Sequence, residues 1–256
     1  MVRSPRVARA IFGPSESRYV QQLPVGMFLK LRYTSALEAA KNEFGALALI
    51  RDSSGLNLPQ PLDLVSKERR VYMITGRLRG VSAQSVYVHL SGEQLMLLAQ
   101  DLRAYIAELR LISKPPGLAA AAVSNIIGGG CIHNRLDEAQ GTSFAPHGPF
   151  SDHAAFTNHL VTHRPPASEE VQRTGHAVML THGDLALRNI VVNGKGRLVG
   201  LVDWEHAGWY PEYWEHTTFH ATIPQRRWAD VCSPLFPGAE DFEDELAVEH
   251  RLWEYL

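Results

Sequence analysis

The sequence predicts an α+β fold, and three local patterns support this class. Residues 189–192 and 197–202 are rich in β-branched and aliphatic side chains and flank Asn-Gly-Lys-Gly, which is typical of a β-hairpin. Residues 26–31 alternate as a strand does, and a helical pattern follows at 36–50. A long amphipathic helix is predicted at 92–111. With 256 residues, 45% of them hydrophobic, the chain can bury one large core or two small ones.

The first third of the chain supplies the remaining predicted strands. Residues 6–12 and 18–22 are predicted strands on either side of a turn at 13–17. A further strand is predicted within 69–80, ending near Gly76. Together with the strand at 26–31, these segments indicate a small sheet that precedes the helical part of the chain.

The rest of the chain is predicted to be mainly helical outside the hairpin. A shorter helix is predicted at 151–163, with Ser151 as its N-cap. The remainder of 117–166 is rich in Gly, Pro and His, and irregular stretches of this length are usually functional or mobile. This region is therefore a candidate for a functional role. The helix at 92–111 places one apolar stripe inward: Leu95, Leu98, Leu102, Ile106 and Leu109.

The hairpin is expected to bring three polar side chains together. With residues 194–195 at the turn centre, Asn189 is predicted to face Gly200. Asp203 then lies about 10 Å further along its strand, beneath the loop that holds Asp184. Two carboxylates and a carboxamide offer the hard oxygen atoms that Mg²⁺ prefers, with one acid left to accept a proton. This arrangement suits phosphoryl transfer, and a surface hairpin with chance polar residues is the alternative.

These residues resemble a known family. The segments HGDLALRN (182–189) and VDWEHAGWYPEYWE (202–215) are similar to motifs of the aminoglycoside phosphotransferase and choline kinase group, in the branch abundant in filamentous fungi. The resemblance implies a bilobal protein-kinase-like fold. Its small N-terminal lobe, residues 1–77, would be rich in β-strands and contain one helix. A larger, mainly helical C-terminal lobe would span 78–256. The implied activity is ATP-dependent transfer of the γ-phosphoryl group to a hydroxyl of an amino alcohol, an aminoglycoside-like compound or a natural product.

The same resemblance implies roles for individual residues. Asp184 would deprotonate the acceptor hydroxyl, Asn189 would bind one Mg²⁺ ion and Asp203 would bind two. His182 would hold the catalytic loop by hydrogen bonds. Gly183 stands where regulated protein kinases have an arginine that reads a phosphorylated segment, so a constitutively assembled site is expected.

The resemblance also requires a nucleotide site in the N-terminal lobe. Lys30 and Glu43 have the order and spacing of the ion pair that binds the nucleotide phosphates. The turn at 13–17 would cover the phosphates through its backbone and through Ser15 and Ser17. It has only one glycine, so an ordinary surface turn is the alternative.

The hinge between the lobes would contact the adenine ring. By resemblance, the backbone groups near Thr75, Gly76 and Arg77 would meet the adenine edge. Side-chain identity matters little for such a contact, and the apolar residues before it are expected to be core.

Two charged residues near the predicted site are candidates for further roles. Arg188 is the nearest cation of the catalytic loop and would either neutralise the transferred phosphoryl group or pair with Glu205. Glu205 is a candidate for binding the acceptor, because carboxylates and aromatic faces attract an amine. Most of the other aromatic and acidic residues at 204–215 are predicted to be core and solvated surface, respectively.

Composition narrows the possible partners and the location. A net charge of −2 and a pI near 6.6 give no basic footprint for nucleic acid, and no span is long and apolar enough to predict a membrane helix. Cys131 and Cys232 are too few for a disulfide framework or a thiolate zinc site, which favours a reducing, cytoplasmic location. The arginines at 3, 6 and 9 leave a transit peptide as an alternative. The oligomeric state is open.

Two other functions remain compatible with the sequence. The single-glycine turn would suit a kinase-fold protein that binds nucleotide without transferring phosphate. A fold recruited for other chemistry on a natural product is the third hypothesis, because a fold does not determine a function.

Overall fold

The N-terminal part of the chain forms an antiparallel sheet with one long helix packed on it. The computed structural model describes residues 19–136, 145–162, 175–222, 235 and 242–253. The elements of this part are β1 (Val20–Leu23), β2 (Met27–Tyr33), α1 (Leu37–Ser53), β3 (Pro61–Lys67) and β4 (Arg70–Gly76). The strands lie in the order β1-β2-β4-β3, and α1 contacts β2, β3 and β4.

Most predicted elements of this part are present with shifted ends. β2 extends two residues beyond the predicted strand at 26–31, because it pairs with β4 along its whole length. α1 ends three residues after the predicted helix at 36–50. The predicted strand at 6–12 and the turn at 13–17, with Ser15 and Ser17, lie outside the described residues.

The C-terminal part combines helices with two small sheets. Its elements are β5 (Val81–Ser82), α2 (Ala83–Val86), α3 (Gly92–Arg110), β6 (Ser124–Asn125), α4 (His153–Thr162), β7 (Val178–Thr181), β8 (Ile190–Val192), β9 (Leu198–Leu201), β10 (Gly208–Pro211), α5 (Trp214–Thr222) and α6 (Glu243–Trp253). One sheet has the order β5-β8-β9 and the other β6-β10-β7.

Single 3₁₀ turns occur in both parts of the chain, at Pro24–Gly26, Thr34–Ala36, Tyr87–His89, Pro116–Leu118, Asn134–Leu136, Leu187–Asn189 and Trp204–His206.

The long helix α3 follows its prediction closely. Ser91 caps its start: the Gln94 N–H donates to Ser91 Oγ, and the Ser91 N–H donates to Gln94 Oε1. The apolar stripe faces inward as predicted, and all five of its residues are buried: Leu95, Leu98, Leu102, Ile106 and Leu109.

The register of the hairpin between β8 and β9 differs from the prediction by two residues. Gly196 adopts φ = +77°, which lengthens the turn by one residue. A bulge adds one more residue to β9, so Val191 rather than Asn189 faces Gly200. Asn189 instead ends the 3₁₀ turn before β8, where its carbonyl accepts a hydrogen bond from the Val202 N–H.

The N-cap of α4 is Asp152, not the predicted Ser151. Asp152 immediately precedes the helix, and its Oδ1 accepts a hydrogen bond from the Ala155 N–H at 2.8 Å. Ser151 lies one residue too early and donates to Asp152 Oδ2 instead.

One hydrophobic core is shared by the two parts of the chain. Leu47 and Ile50 of α1 belong to the same buried cluster as Trp204 and Trp209 of the C-terminal part. None of the helices in the described segments is long and apolar enough to cross a membrane. The domain boundary between residues 77 and 78 stays a prediction.

Candidate active site

The loop between β7 and β8 has a backbone that only glycine permits at one position. Gly183 adopts φ = +82°, and a Cβ atom there would lie 2.4 Å from the carbonyl oxygen of His206. The loop that carries Asp184 is thus packed closely against the segment that follows β9.

Buried hydrogen bonds hold this loop from below. His182 Nε2 donates to the Val202 carbonyl at 3.0 Å, and its Nδ1 accepts from the Asp184 N–H at 3.2 Å. Burial lowers the pKa of His182 to about 4, so the ring is neutral, as this pattern requires. Glu215 accepts from the N–H groups of His182 and Gly183 at 2.6 and 3.2 Å, and burial raises its pKa to about 7.

Glu215 was expected at the solvated surface, and this expectation was wrong. Its side chain is only 2% exposed. The sequence did contain a signal for this burial. Glu215 directly follows Trp214, a tryptophan that is buried, in an aromatic stretch at the start of a helix. Such an acid needs internal donors, and the catalytic loop supplies them.

Asp184 is held by its two neighbours in the loop. Arg188 Nη2 lies 2.6 Å from both Asp184 Oδ1 and Oδ2. Asn189 Nδ2 donates to the Asp184 main-chain oxygen and to Oδ2, both at 2.8 Å. Because the nitrogen of this side-chain amide is used in that way, its oxygen, Asn189 Oδ1, remains as the atom that could bind a metal.

Asp203 follows β9 in an unusual conformation. Its backbone has φ = +69° and ψ = +62°, a left-handed region that is unfavourable for aspartate. Its Oδ1 atom accepts a hydrogen bond from Lys30 Nζ at 2.9 Å. Burial acts to raise the pKa of Asp203, but the charge and hydrogen bond of Lys30, together with the charges of Arg32 and His206, outweigh it and hold that pKa well below the usual range.

Lys30 joins β2 to α1 as well as to Asp203. Its ammonium group forms an ion pair with Glu43, which is 2% exposed. Burial acts to lower the pKa of Lys30, yet Glu43 and Asp203 together raise it above its usual value. The structure thus brings together the two residues that the sequence placed in an ion pair.

A second cation of β2, Arg32, was missed by the sequence analysis. Arg32 pairs with Glu205 and lies 3.6 Å from Glu43 and 3.7 Å from Asp203. Alternation along the strand places Lys30 and Arg32 on one face, which was the available signal. Of the two roles left open for Arg188, the pair with Glu205 is not formed, because Arg188 pairs with Asp184 and Glu205 pairs with Arg32.

These side chains surround one cleft of about 520 Å³. Asp184 is not part of its wall, but its partners Arg188 and Asn189 are. The lining includes every predicted nucleotide or metal residue that lies in the described part of the chain: Lys30, Glu43, Thr75, Gly76, Arg77, Asn189 and Asp203.

Two backbone N–H groups of the predicted hinge already have partners in the protein. The N–H of Gly76 donates to Gln60 O and the N–H of Arg77 donates to Gly26 O, both at 2.8 Å. Both N–H groups are therefore already used by hydrogen bonds within the N-terminal part. The next residue along the chain, Leu78, also lines the cleft.

A metal ion would depend on few protein ligands here. Among the described residues, no group of three or more His, Cys, Asp or Glu side chains could hold one. Asp203 and the amide oxygen of Asn189 supply two hard oxygen atoms in one cleft, a set that suits Mg²⁺ when nucleotide phosphates complete the coordination.

Comparison with known proteins gives a family match over most of the chain. The sequence pattern of the phosphotransferase enzyme family matches residues 15–247. No curated protein matches the chain in sequence.

Solved structures of aminoglycoside phosphotransferases share its architecture. Aminoglycoside-3'-phosphotransferase of type VIII superposes with a TM-score of 0.61 at 16% identity, over 95% of this chain and 92% of that one. The streptomycin-ATP-APH(2")-IIa ternary complex gives 0.60 at 13%, over 97% and 88%. A thermostable mutant of APH(4)-Ia, in ternary complex with AMP-PNP and hygromycin B, gives 0.59 at 15%, over 93% and 79%. These similarities confirm the bilobal protein-kinase-like fold.

Proposed function

This chain belongs to the phosphotransferase enzyme family, and from that membership we propose that it transfers the γ-phosphoryl group of ATP to a hydroxyl group of a small molecule. The observation that carries the proposal is the 2.9 Å contact between Lys30 Nζ and Asp203 Oδ1. It joins a phosphate-binding cation to a metal-binding acid in the cleft that Asn189 also lines.

Nucleotide and metal would be held from both sides of the cleft. Lys30, paired with Glu43, contacts the phosphates, and the hinge at 75–78 contacts the adenine edge. Asn189 Oδ1 and Asp203 would hold Mg²⁺, which would offset the negative charge of the triphosphate. The pair between Lys30 and Asp203 loosens as the phosphates arrive.

Asp184 would act on the acceptor. One of its carboxylate oxygens accepts the proton of the acceptor hydroxyl as the new oxygen–phosphorus bond forms. The bond between the γ-phosphorus and the bridging oxygen breaks, and ADP leaves with its electrons. Arg188 turns from Asp184 towards the transferred group, whose negative charge it stabilises.

A direct test is substitution of the proposed base. Asp184→Asn should lower the rate of transfer from Mg·ATP by about a hundred- to ten-thousand-fold. The control is Asp63→Asn, an exposed aspartate of β3, which should behave as wild type. Equal rates in the two variants would show that Asp184 is not the base.

The acceptor class is tested with a panel. Streptomycin and hygromycin B are bound by the neighbours, so they serve as probes beside amino alcohols and neutral alcohols. Phosphorylated products are identified by mass spectrometry, with ATP and GTP compared as donors.

The second candidate function is nucleotide binding without transfer. It is favoured by the contact of Arg188 with both oxygens of Asp184, which leaves the proposed base paired. Mg·ATP at a hundred times its dissociation constant would then stabilise the protein by about 2.7 kcal/mol, while no acceptor in the panel is phosphorylated.

A further inference from the structure

One polar side chain of α1 is fully buried and reaches into the C-terminal part. Asn42 precedes Glu43 in α1 and has no exposed surface. Its Nδ2 donates to the carbonyl oxygens of Glu205 and Ala207 at 3.0 and 2.7 Å. Its Oδ1 accepts from the Ile126 N–H at 2.8 Å. Every polar atom of this side chain is therefore bonded to the main chain of the other part.

These bonds hold the segment that immediately follows Asp203. The left-handed conformation of Asp203 persists only when its surroundings fix it. The 3₁₀ turn Trp204–His206 comes next, and Asn42 binds the carbonyl oxygens of its second residue and of the residue after the turn. Arg32 holds the same segment through the side chain of Glu205.

We propose that Asn42 is a positioning residue, which locks α1 to the segment 203–207 so that Glu43, Lys30 and Asp203 stay assembled before nucleotide binds. An α1 that could swing outward would first have to break three buried hydrogen bonds. The site then needs no activation step that moves this helix. The catalytic meaning of the lock rests on the proposed function, whereas the lock itself can be tested without nucleotide.

The first test is hydrogen–deuterium exchange of the free protein. Asn42→Ala should raise amide exchange about tenfold or more in both 37–53 and 203–207. The control is Asn125→Ala. Asn125 is equally buried, but its side chain binds only its own loop, at Ile127, Gly129 and Gly130. Its loss should raise exchange within 125–130, where Ile126 lies, but both bonds of Asn42 to Glu205 and Ala207 remain, so exchange in 37–53 and 203–207 should stay close to that of wild type.

If Asn42 holds α1 and the segment 203–207 together, its loss should raise amide exchange in both of them. If Asn42→Ala loosens only one segment, or neither, the proposal is overturned. Should Asn42→Ala fail to fold, Asn42→Leu removes all three hydrogen bonds while nearly filling the same space without a buried charge, and the same result is expected.

The second test uses Mg·ATP. Asn42→Ala should raise the Mg²⁺ concentration for half-maximal nucleotide binding about tenfold, because Asp203 is no longer held, while Asn125→Ala retains the wild-type value. Wild-type Mg²⁺ dependence in Asn42→Ala would overturn the positioning role. If wild-type protein binds no nucleotide, the proposed function fails, and the exchange result still decides whether Asn42 is a lock.

Discussion

Gly183 combines two constraints at a single residue. Its positive φ is unfavourable for any L side chain, and the His206 carbonyl occupies the place of a Cβ. The arginine found here in regulated protein kinases could not be accommodated without moving the turn Trp204–His206 that follows Asp203. The backbone conformation of the loop therefore excludes an arginine at this position.

Gly183→Ala should destabilise the protein by about 2 kcal/mol or more and lower phosphoryl transfer, since the loop that carries Asp184 must shift. Gly194→Ala is the matched control, because a Cβ at that turn position meets no atom within 4 Å. Denaturant unfolding of both variants measures the difference. Equal stabilities would contradict the close approach to His206.

Glu215 should give the protein a specific pH dependence. Burial raises its pKa to about 7 in the folded state, above the unfolded value. Its contribution to stability is then fully present below about pH 4.5 and is lost as the pH rises through 7. The stability advantage of wild type over Glu215→Gln should shrink by up to about 3 kcal/mol between pH 5 and 8.

Unfolding measured at both pH values tests this expectation, and the comparison cancels contributions that both proteins share, including that of His182. A gap that widens with pH would mean that the Glu215 carboxylate is stabilised, not destabilised, by its donors at His182 and Gly183.

At the level of elements, α1 carries charge on two different faces. Glu43 points into the cleft and pairs with Lys30, whereas Glu38 lies on the outer face and pairs with Lys41 at 2.7 Å. The helical repeat explains why only the first can bear on the site. The buried face of α1 also contains Asn42, so that helix orientation and ion-pair geometry are set together.

Glu43→Gln should lower transfer about a hundredfold, because Lys30 loses the partner that fixes its position. Glu38→Gln has the same chemical change on the exposed face of the same helix and should leave transfer unchanged. Steady-state kinetics with Mg·ATP distinguish them. A similar loss in both variants would point to a general effect on the helix.

Across the whole molecule, the ion pair of Arg32 and Glu205 connects the N-terminal sheet to the segment after β9. Both side chains are largely buried, with 17% and 11% exposed. Removing one partner leaves the other charge buried and unpaired, which is more costly than losing an exposed pair.

A double-mutant cycle with Arg32→Met and Glu205→Gln should give a coupling free energy of about 1–3 kcal/mol in unfolding experiments. The comparison cycle is Arg197 with Asp101, a more exposed pair within the C-terminal part, where coupling should be much smaller. Independent effects of Arg32 and Glu205 would show that they do not stabilise each other.

The sequence predicted what depends on local pattern and missed what depends on long-range register. Lys30 and Glu43 could be located because a strand and the next helix carry them. Asn42 could be placed on the inner face, but no local rule shows which carbonyl oxygens it meets more than 160 positions along the chain. The hairpin register was missed because it depends on two small local features, a positive φ at Gly196 and a bulge in β9. Each shifts the pairing of the strands by one residue.

The contact between Arg188 and Asp184 has a consequence for the rate at which water, rather than an acceptor, would consume ATP. With both carboxylate oxygens in contact with a guanidinium, a water molecule entering beside ATP would have to compete with Arg188 before Asp184 could take its proton. Futile hydrolysis should therefore stay slow until an acceptor displaces the arginine. In this way the loop would favour an alcohol over the far more abundant water.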